Sequence, residues 1–118
     1  MKTGSLKSIL TKEKEIELTV TGRKSRKPIP RTVWFVLRGS NLLLLPVTGT
    51  NSQWYKNILK NPQVKITASA ETISGKLRPI TGKKEVAEVI QLFEKKYGPG
   101  DIKRYYSNPN VAASLPLD

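Results

Sequence analysis

Between Glu15 and Thr21 the chain alternates strictly, with Ile16, Leu18 and Val20 on one side and Glu15, Glu17, Thr19 and Thr21 on the other. A period of two marks a half-buried strand. Thr32 to Leu37 is apolar on both faces and rich in β-branched and aromatic residues. Gly39-Ser40-Asn41 then supplies a turn, and Leu42 to Val47 follows as a second apolar run, so the two read as a β-hairpin. Val64, Ile66 and Ala68 alternate with Gln63, Lys65 and Thr67 to predict a fourth strand. Ile73, Gly75 and Leu77 alternate with Ser74, Lys76 and Arg78 to predict a fifth, in which Gly75 marks a bend or bulge.

Two stretches change the period to that of a helix. Across Ser52 to Lys60, Trp54 pairs with Ile58 and Tyr55 with Leu59 at i,i+4. Asn51 or Ser52 serves as its cap and Asn61-Pro62 as its stop. From Lys83 to Tyr97, the residues Val86, Val89, Ile90, Phe93 and Tyr97 form one apolar stripe that ends at Gly98-Pro99-Gly100. A further helical turn falls at Asp101–Tyr106, and Val111 to Leu117 reads as a last strand or a docked tail. Strands and helices do not alternate regularly, which disfavours a doubly wound parallel sheet. The order predicts an α+β fold: a small, mostly antiparallel, partly open β-barrel with two or three covering helices. At 118 residues the length suits one domain over 1–118.

Composition narrows the chemistry. The chain has no Cys and no His, which excludes a disulfide framework, a thiol nucleophile, a Cys/His zinc site and any Ser-His or Cys-His pair. An enzyme built from it leaves the difficult step to a bound cofactor. The longest apolar run, Leu42 to Val47, is six residues, against roughly 18 for a membrane span. Lys7, Ser8, Thr11 and Lys12 interrupt Ile9 and Leu10, so no transmembrane segment or signal-peptide core is expected, and the location expected is cytoplasmic.

Charge adds a sign. Twenty-one Lys and Arg against nine Asp and Glu give a net +12, of which residues 1–60 carry +9 (12 − 3) and residues 61–118 carry +3 (9 − 6). Gly22 to Arg31 holds five basic residues and no acid, and joins two predicted strands. Such a loop can donate charge-assisted hydrogen bonds to a phosphate or carboxylate; the plain alternative is a solvated surface of a Lys-rich chain. Val47 to Ser52 reads either as an anion nest of backbone N–H groups or as an ordinary helix cap. Glu13, Glu15 and Glu17 read as a solvated strand edge. Trp54 and Tyr55 point to different faces of their helix, one anchoring it in the core and the other free to line a cavity. Tyr97, Tyr105 and Tyr106 can close an aromatic pocket, with Tyr97 continuing the core stripe.

Leu18-Thr19-Val20-Thr21-Gly22-Arg23-Lys24-Ser25, the hairpin, and Trp54-Tyr55-Lys56-Asn57 with Leu59 and Asn61-Pro62 together carry a resemblance over about 45 residues. In order and spacing this stretch resembles the deazaflavin-dependent nitroreductase family, the split-barrel flavin and deazaflavin oxidoreductases. The resemblance implies a split β-barrel of the FMN-binding type that holds coenzyme F420, a 5-deazaflavin with a phosphate and an acidic glutamyl tail. It implies an oxidoreductase that passes hydride to a small electron-poor acceptor: a quinone, an enone or a nitro compound. By the same likeness Arg23, Lys24 and Ser25 contact the cofactor's anionic groups. Thr48, Gly49 and Thr50 lie under its phosphate or ring, and Trp54, Tyr55 and Asn57 flank it. Tyr55, Tyr105 and Tyr106 are the catalytic candidates, with no strong base and no metal required. Arg26 and Lys27 fall outside the matched motif and are expected to matter less. Solvent-facing residues of the turn are expected to change stability by no more than about 0.5 kcal/mol.

The family's longer Ser-x-Gly-Gly loop is here shortened to Val47–Ser52 with one glycine, which keeps FMN open as the alternative cofactor. Split-barrel flavoproteins often dimerise around the cofactor, so a homodimer is among the partners the resemblance allows, beside the small-molecule acceptor. The rival readings are a non-catalytic, basic small-barrel nucleic-acid-binding protein and a cofactor carrier without turnover. The first would use Arg23, Lys24, Arg26, Lys27 and Arg31 on phosphates and Trp34 or Tyr55 for stacking. No specific nucleic acid is expected as a partner.

Overall fold

The computed structural model describes residues 9–107 and 109–117; the stretch through Ser8, read above for an export signal, lies outside them. Among these residues the strands are β1 (Glu15–Thr21), β2 (Pro28–Arg38), β3 (Asn41–Leu44), β4 (Gln63–Ala68), β5 (Glu71–Lys76), β6 (Arg78–Ile80) and β7 (Ala112–Pro116). The helices are α1 (Gln53–Lys60), α2 (Lys83–Tyr97) and α3 (Pro99–Tyr105), with one 3₁₀ turn at Gly49–Asn51. The strands form one antiparallel sheet in the order β5-β4-β1-β2-β3-β7-β6. Only Leu77 separates β5 from β6 in the chain, yet they stand at opposite ends of that order. The sheet therefore curls until its edges approach each other, and the result is an α+β split barrel.

β2 explains the split. Its first half, Pro28–Trp34, pairs with β1, and its second half, Phe35–Arg38, pairs with β3. Beyond β1, the first half has no second strand partner among the described residues. Pro28 and Pro30 are two residues apart, so their missing N–H groups face one side, where no ladder needs them. Glycine closes the barrel elsewhere. A Cβ on Gly75 would stand 2.6 Å from Leu115 Cδ1 on β7, while the register of Gly75 with Val64 runs on unbroken. The glycine is there for close approach across the barrel, not for a bulge.

Alternation along β3 and its continuation divides the core in two. Leu42 and Leu44 point into the barrel with Leu18, Phe35, Ile66 and Leu115, where Tyr55 and Ile58 of α1 plug it. Leu43 and Leu45 point outward with Val36 and Ala112, against Val86, Val89 and Phe93 of α2 and Ile102 of α3. A one-residue slip would exchange the two sets, so burial on both faces fixes the register. The predicted stripe of α2 is observed. The predicted second hairpin strand is shorter than expected, because Leu45 to Val47 leave the ladder. The single strand predicted through Arg78 is two, broken at the buried Leu77. Leu59 remains 57% exposed and does not join Tyr55 in the core.

Candidate functional site

The turn between β1 and β2 is shorter than the basic run suggested, since Pro28–Arg31 belong to β2. Its geometry depends on Gly22, where a Cβ would run into Ser25 Oγ. Gly22 N–H donates to the Lys27 carbonyl (2.9 Å), Arg26 N–H to the Gly22 carbonyl (2.9 Å), and Lys27 N–H to Ser25 Oγ (3.2 Å). Arg23 is pinned to α1. Its backbone N–H and its Nη1 both donate to Asn57 Oδ1, at 3.1 and 2.8 Å, and Nη2 donates to Gln53 Oε1 at 2.9 Å. Gln53 and Asn57 share a helix face at i,i+4, a spacing legible in the sequence although Gln53 was not singled out there.

These contacts frame a cleft of about 340 Å³ between the turn, the open half of β2 and α1. Arg23, Lys24, Ser25 and Arg31 line it on one side, and Gln53, Trp54 and Asn57 on the other. Trp54 also lines a second cavity of about 230 Å³, bounded by Val33, Trp34, Leu45, Val47, Tyr105 and Tyr106. One indole thus separates a cationic cleft from an apolar, aromatic one, both opening along the half of β2 that has no second strand.

The aromatic cavity is built on a stack. Trp34 lies on Tyr97 with ring centres 4.2 Å apart and planes 8° from parallel, and Tyr105 meets Trp34 edge-on at 5.7 Å. Tyr106 meets Phe93 edge-on at 5.8 Å and is 6% exposed. Its hydroxyl makes no hydrogen bond among the described residues, and burial, with Tyr97 adding, pushes its ionisation well above the ordinary tyrosine range. Behind the stack, Tyr97 Oη accepts Phe35 N–H at 3.0 Å and lies 2.7 and 2.8 Å from the carbonyls of Lys14 and Phe35, one of which takes its proton. Burial pushes Tyr97 up to about 12, against the opposing effect of the Phe35 backbone bond and with a smaller contribution from Glu15. Lys96 Nζ donates to the Phe35 carbonyl (2.9 Å) and sits 3.6 Å from the Phe35 ring centre; burial lowers it to about 8.

Other expected positions lie elsewhere. Tyr55 is 3% exposed in the barrel core and lines neither cavity, and burial raises its ionisation. Of the adjacent pair, Tyr55 is the anchor and Trp54 the lining residue. Thr48, Gly49 and Thr50 line neither cavity. The backbone N–H groups of Thr48, Gly49, Thr50, Asn51 and Ser52 donate to Ser52 Oγ, the Pro46 carbonyl, Asn110 Oδ1, the Thr48 carbonyl and the Gly49 carbonyl. These five amides satisfy one another and their neighbours, so the loop is not an open anion nest. Ser52 occupies the cap position of α1 without a side-chain cap bond, because its hydroxyl pairs with Thr48 Oγ1 at 2.9 Å.

No helix among the described residues is long and apolar enough to cross a membrane. No curated protein matches the chain significantly. The fold is shared with solved structures of low identity. A protein from Bacteroides thetaiotaomicron described as a putative 5-nitroimidazole antibiotic resistance protein is 16% identical over 98% of this chain and 79% of that one, with a TM-score of 0.75. An F420-H2 dependent reductase is 18% identical over 87% and 94%, with a TM-score of 0.69. HutZ, a haem storage protein from Vibrio cholerae, is 15% identical over 98% and 89%, with a TM-score of 0.74. The model of the F420H(2)-dependent quinone reductase family matches residues 2–107. The chain belongs to that family, and it is an F420-dependent reductase on a split-barrel fold.

Proposed function

We propose that the cationic cleft takes the phosphate end of reduced F420 and that the aromatic cavity across Trp54 takes the ring and a quinone. The observation that carries this reading is the shared wall: one indole borders both a cleft lined by Arg23, Lys24 and Arg31 and a cavity lined by aromatic and aliphatic side chains. The residues fit the group. A phosphate needs donors and positive charge, a flat ring needs an apolar slot, and each is offered on its own side of Trp54. When bound, F420H2 supplies a hydride. The chain's own work is then to bind, orient and exclude water. Arg23, held by Asn57 and Gln53, presents its charge from a fixed position, which limits the entropy lost on binding. Lys24, Ser25 and Arg31 complete the donor set on the same side. Trp34, Val47 and Tyr105 cover the acceptor. Tyr106 stays protonated at neutral pH, so its unpartnered hydroxyl can donate to the acceptor oxygen as negative charge develops there. Other flat, electron-poor acceptors, such as enones and nitro compounds, fit the same slot.

Titration with F420 and with FMN, followed by tryptophan fluorescence, tests the cofactor; pre-steady-state quinone reduction tests the chemistry. Saturable F420 quenching in the micromolar range or tighter is expected, as is a fall in quinone turnover of about tenfold or more in Tyr106→Phe at unchanged cofactor affinity. Absence of F420 binding at saturating concentrations would overturn the reading.

A further inference from the structure

A cavity of about 440 Å³ lies between the segment 11–14 that precedes β1 and the adjoining ends of α2 and α3. Lys12, Glu13 and Lys14 line it from the segment, Lys96 and Tyr97 from α2, and Asp101 from α3. It shares no lining residue with either cavity at Trp54. A hollow this rich in ionisable groups is not a packing defect of the core, where voids are apolar.

Lys96 is its unusual member. Nζ folds back to donate to the Phe35 carbonyl at 2.9 Å, and it stands 3.6 Å from the ring centre of Phe35 and 5.1 Å from that of Tyr97. The bond fixes the nitrogen while the residue as a whole stays exposed to solvent. No carboxylate pairs with it among the described residues, where both ion pairs belong to Arg38. The carbonyl and the ring faces attract an ammonium, but burial strips it of water with no counter-ion in exchange, and lowers Lys96 to about 8. A lysine desolvated in this way is the activated, nucleophilic kind.

The other lining residues suit transfer of a group to that amine. Lys12 and Lys14 offer two ammoniums to a departing phosphate, and Glu13 and Asp101 offer two carboxylates that can take a proton. We propose that Lys96 is an acyl-acceptor site, which takes the acyl group of a small acyl phosphate in this cavity ahead of the other fourteen of the chain's fifteen lysines. The amine lone pair attacks the carbonyl carbon and the C–N bond forms. The bond from that carbon to the phosphate oxygen breaks, and phosphate leaves with the electron pair. The proton lost from nitrogen passes to a cavity carboxylate and on to solvent. The amide product keeps one N–H, enough for the Phe35 carbonyl, so modification removes a charge and not the tie between α2 and β2. The site is independent of the cofactor reading.

The probe is acetyl phosphate, added to the purified full chain at about 0.15 M salt, with each lysine's occupancy read by fragmentation mass spectrometry. Lys95, exposed and outside the cavity, is the internal control. At pH 8 about half of Lys96 is neutral, against less than about 1% of an ordinary lysine. A less basic nucleophile is also slower per molecule, which leaves an advantage of about tenfold. Lys96 is therefore expected to be acetylated about tenfold faster than Lys95, with a rate that levels off above about pH 8. The advantage should vanish in denaturing urea. Lys12→Gln combined with Lys14→Gln should slow labelling of Lys96 by acetyl phosphate about tenfold, the scale of one charge-assisted contact. The same variant should leave labelling by p-nitrophenyl acetate, a neutral ester, unchanged. Inorganic phosphate should protect Lys96 and not Lys95 in the wild type, a measurement that needs no variant to fold. Equal rates at Lys95 and Lys96, or labelling spread evenly over the lysines, would overturn the proposal. So would a lack of protection by phosphate, or acetyl phosphate labelling indifferent to Lys12 and Lys14, since Lys96 would then be a reactive amine without a donor site.

Discussion

At the scale of single residues, Arg23 departs most from what its sequence neighbourhood suggests. A basic residue in an exposed turn is expected to be free, and its loss to leave stability almost unchanged. Here two of its donors meet Asn57 Oδ1, and Asn57 is 4% exposed. Truncation would remove the Nη1 bond to that amide and the Nη2 bond to Gln53 together. Asn57 Oδ1 keeps the Arg23 backbone N–H at 3.1 Å, so no buried acceptor is orphaned and the loss is that of the side-chain bonds alone, about 1–2 kcal/mol. Arg23→Ala is therefore expected to lower unfolding free energy by roughly that amount, with Lys24→Ala near wild type within about 0.5 kcal/mol. Urea denaturation of the two variants decides it, and equal, negligible losses would show that the Asn57 contact contributes nothing. The same change in Arg23 should weaken F420 binding, so stability and affinity fall together at this position but separately at Lys24.

At the scale of elements, what was legible was periodic and local. β1 and α2 are long runs of strict period two and period 3.6, and each occurs where predicted. The break at Leu77 was not legible, because the alternation runs through it without a breaker; the strand divides there only because β6 leaves β5 to join β7 across the barrel. Nor could the loop before α1 be read as closed, since one of its amides is satisfied by Asn110, 60 residues away. The cleft residues Arg23 and Trp54 were found from a motif, whereas the meeting of turn and helix across Gln53 depends on the packing of α1 against β1. Phe35 shows a similar long-range completion. The β1 ladder ends at the Glu15–Trp34 pair, and the next N–H and C=O on that side of β2 are taken up by Tyr97 Oη and Lys96 Nζ from α2. Two side chains thus continue a ladder where the strand stops, and they lock α2 behind the aromatic cavity. Tyr97→Phe keeps the stack on Trp34 but leaves Phe35 N–H without its acceptor, a loss of about 1–3 kcal/mol. Thermal melting should show the drop; an unchanged midpoint would mean that the stack alone holds α2.

For the whole molecule, the groups shifted by burial act on stability in opposite directions as pH rises. Lys96 is lowered to about 8 from 10.5. Between those values the unfolded chain holds that proton and the folded chain releases it, so the unfolded state binds more protons and stability rises with pH. The tyrosines act the other way. Tyr97 is raised to about 12, and Tyr55 and Tyr106 are also raised by burial. Above about pH 10 these side chains ionise in the unfolded chain while the fold keeps them protonated, so the folded state binds more protons and stability falls. The net charge of +12 reinforces the rising limb, since lysine deprotonation relieves self-repulsion in the compact state. Stability is therefore expected to climb from about pH 8, to peak near pH 10 and to fall beyond it, an alkaline optimum for a chain that has no histidine to shape the neutral range. Melting midpoints from pH 7 to 11 measure the curve. Lys96→Met keeps the apolar stem over Phe35 and removes the titrating group, so it should flatten the limb between 8 and 10 while leaving the decline above 10 in place. A Lys96→Met curve parallel to wild type would mean that the rise comes from net charge alone and that the ammonium over the Phe35 ring is not held at a depressed pKa.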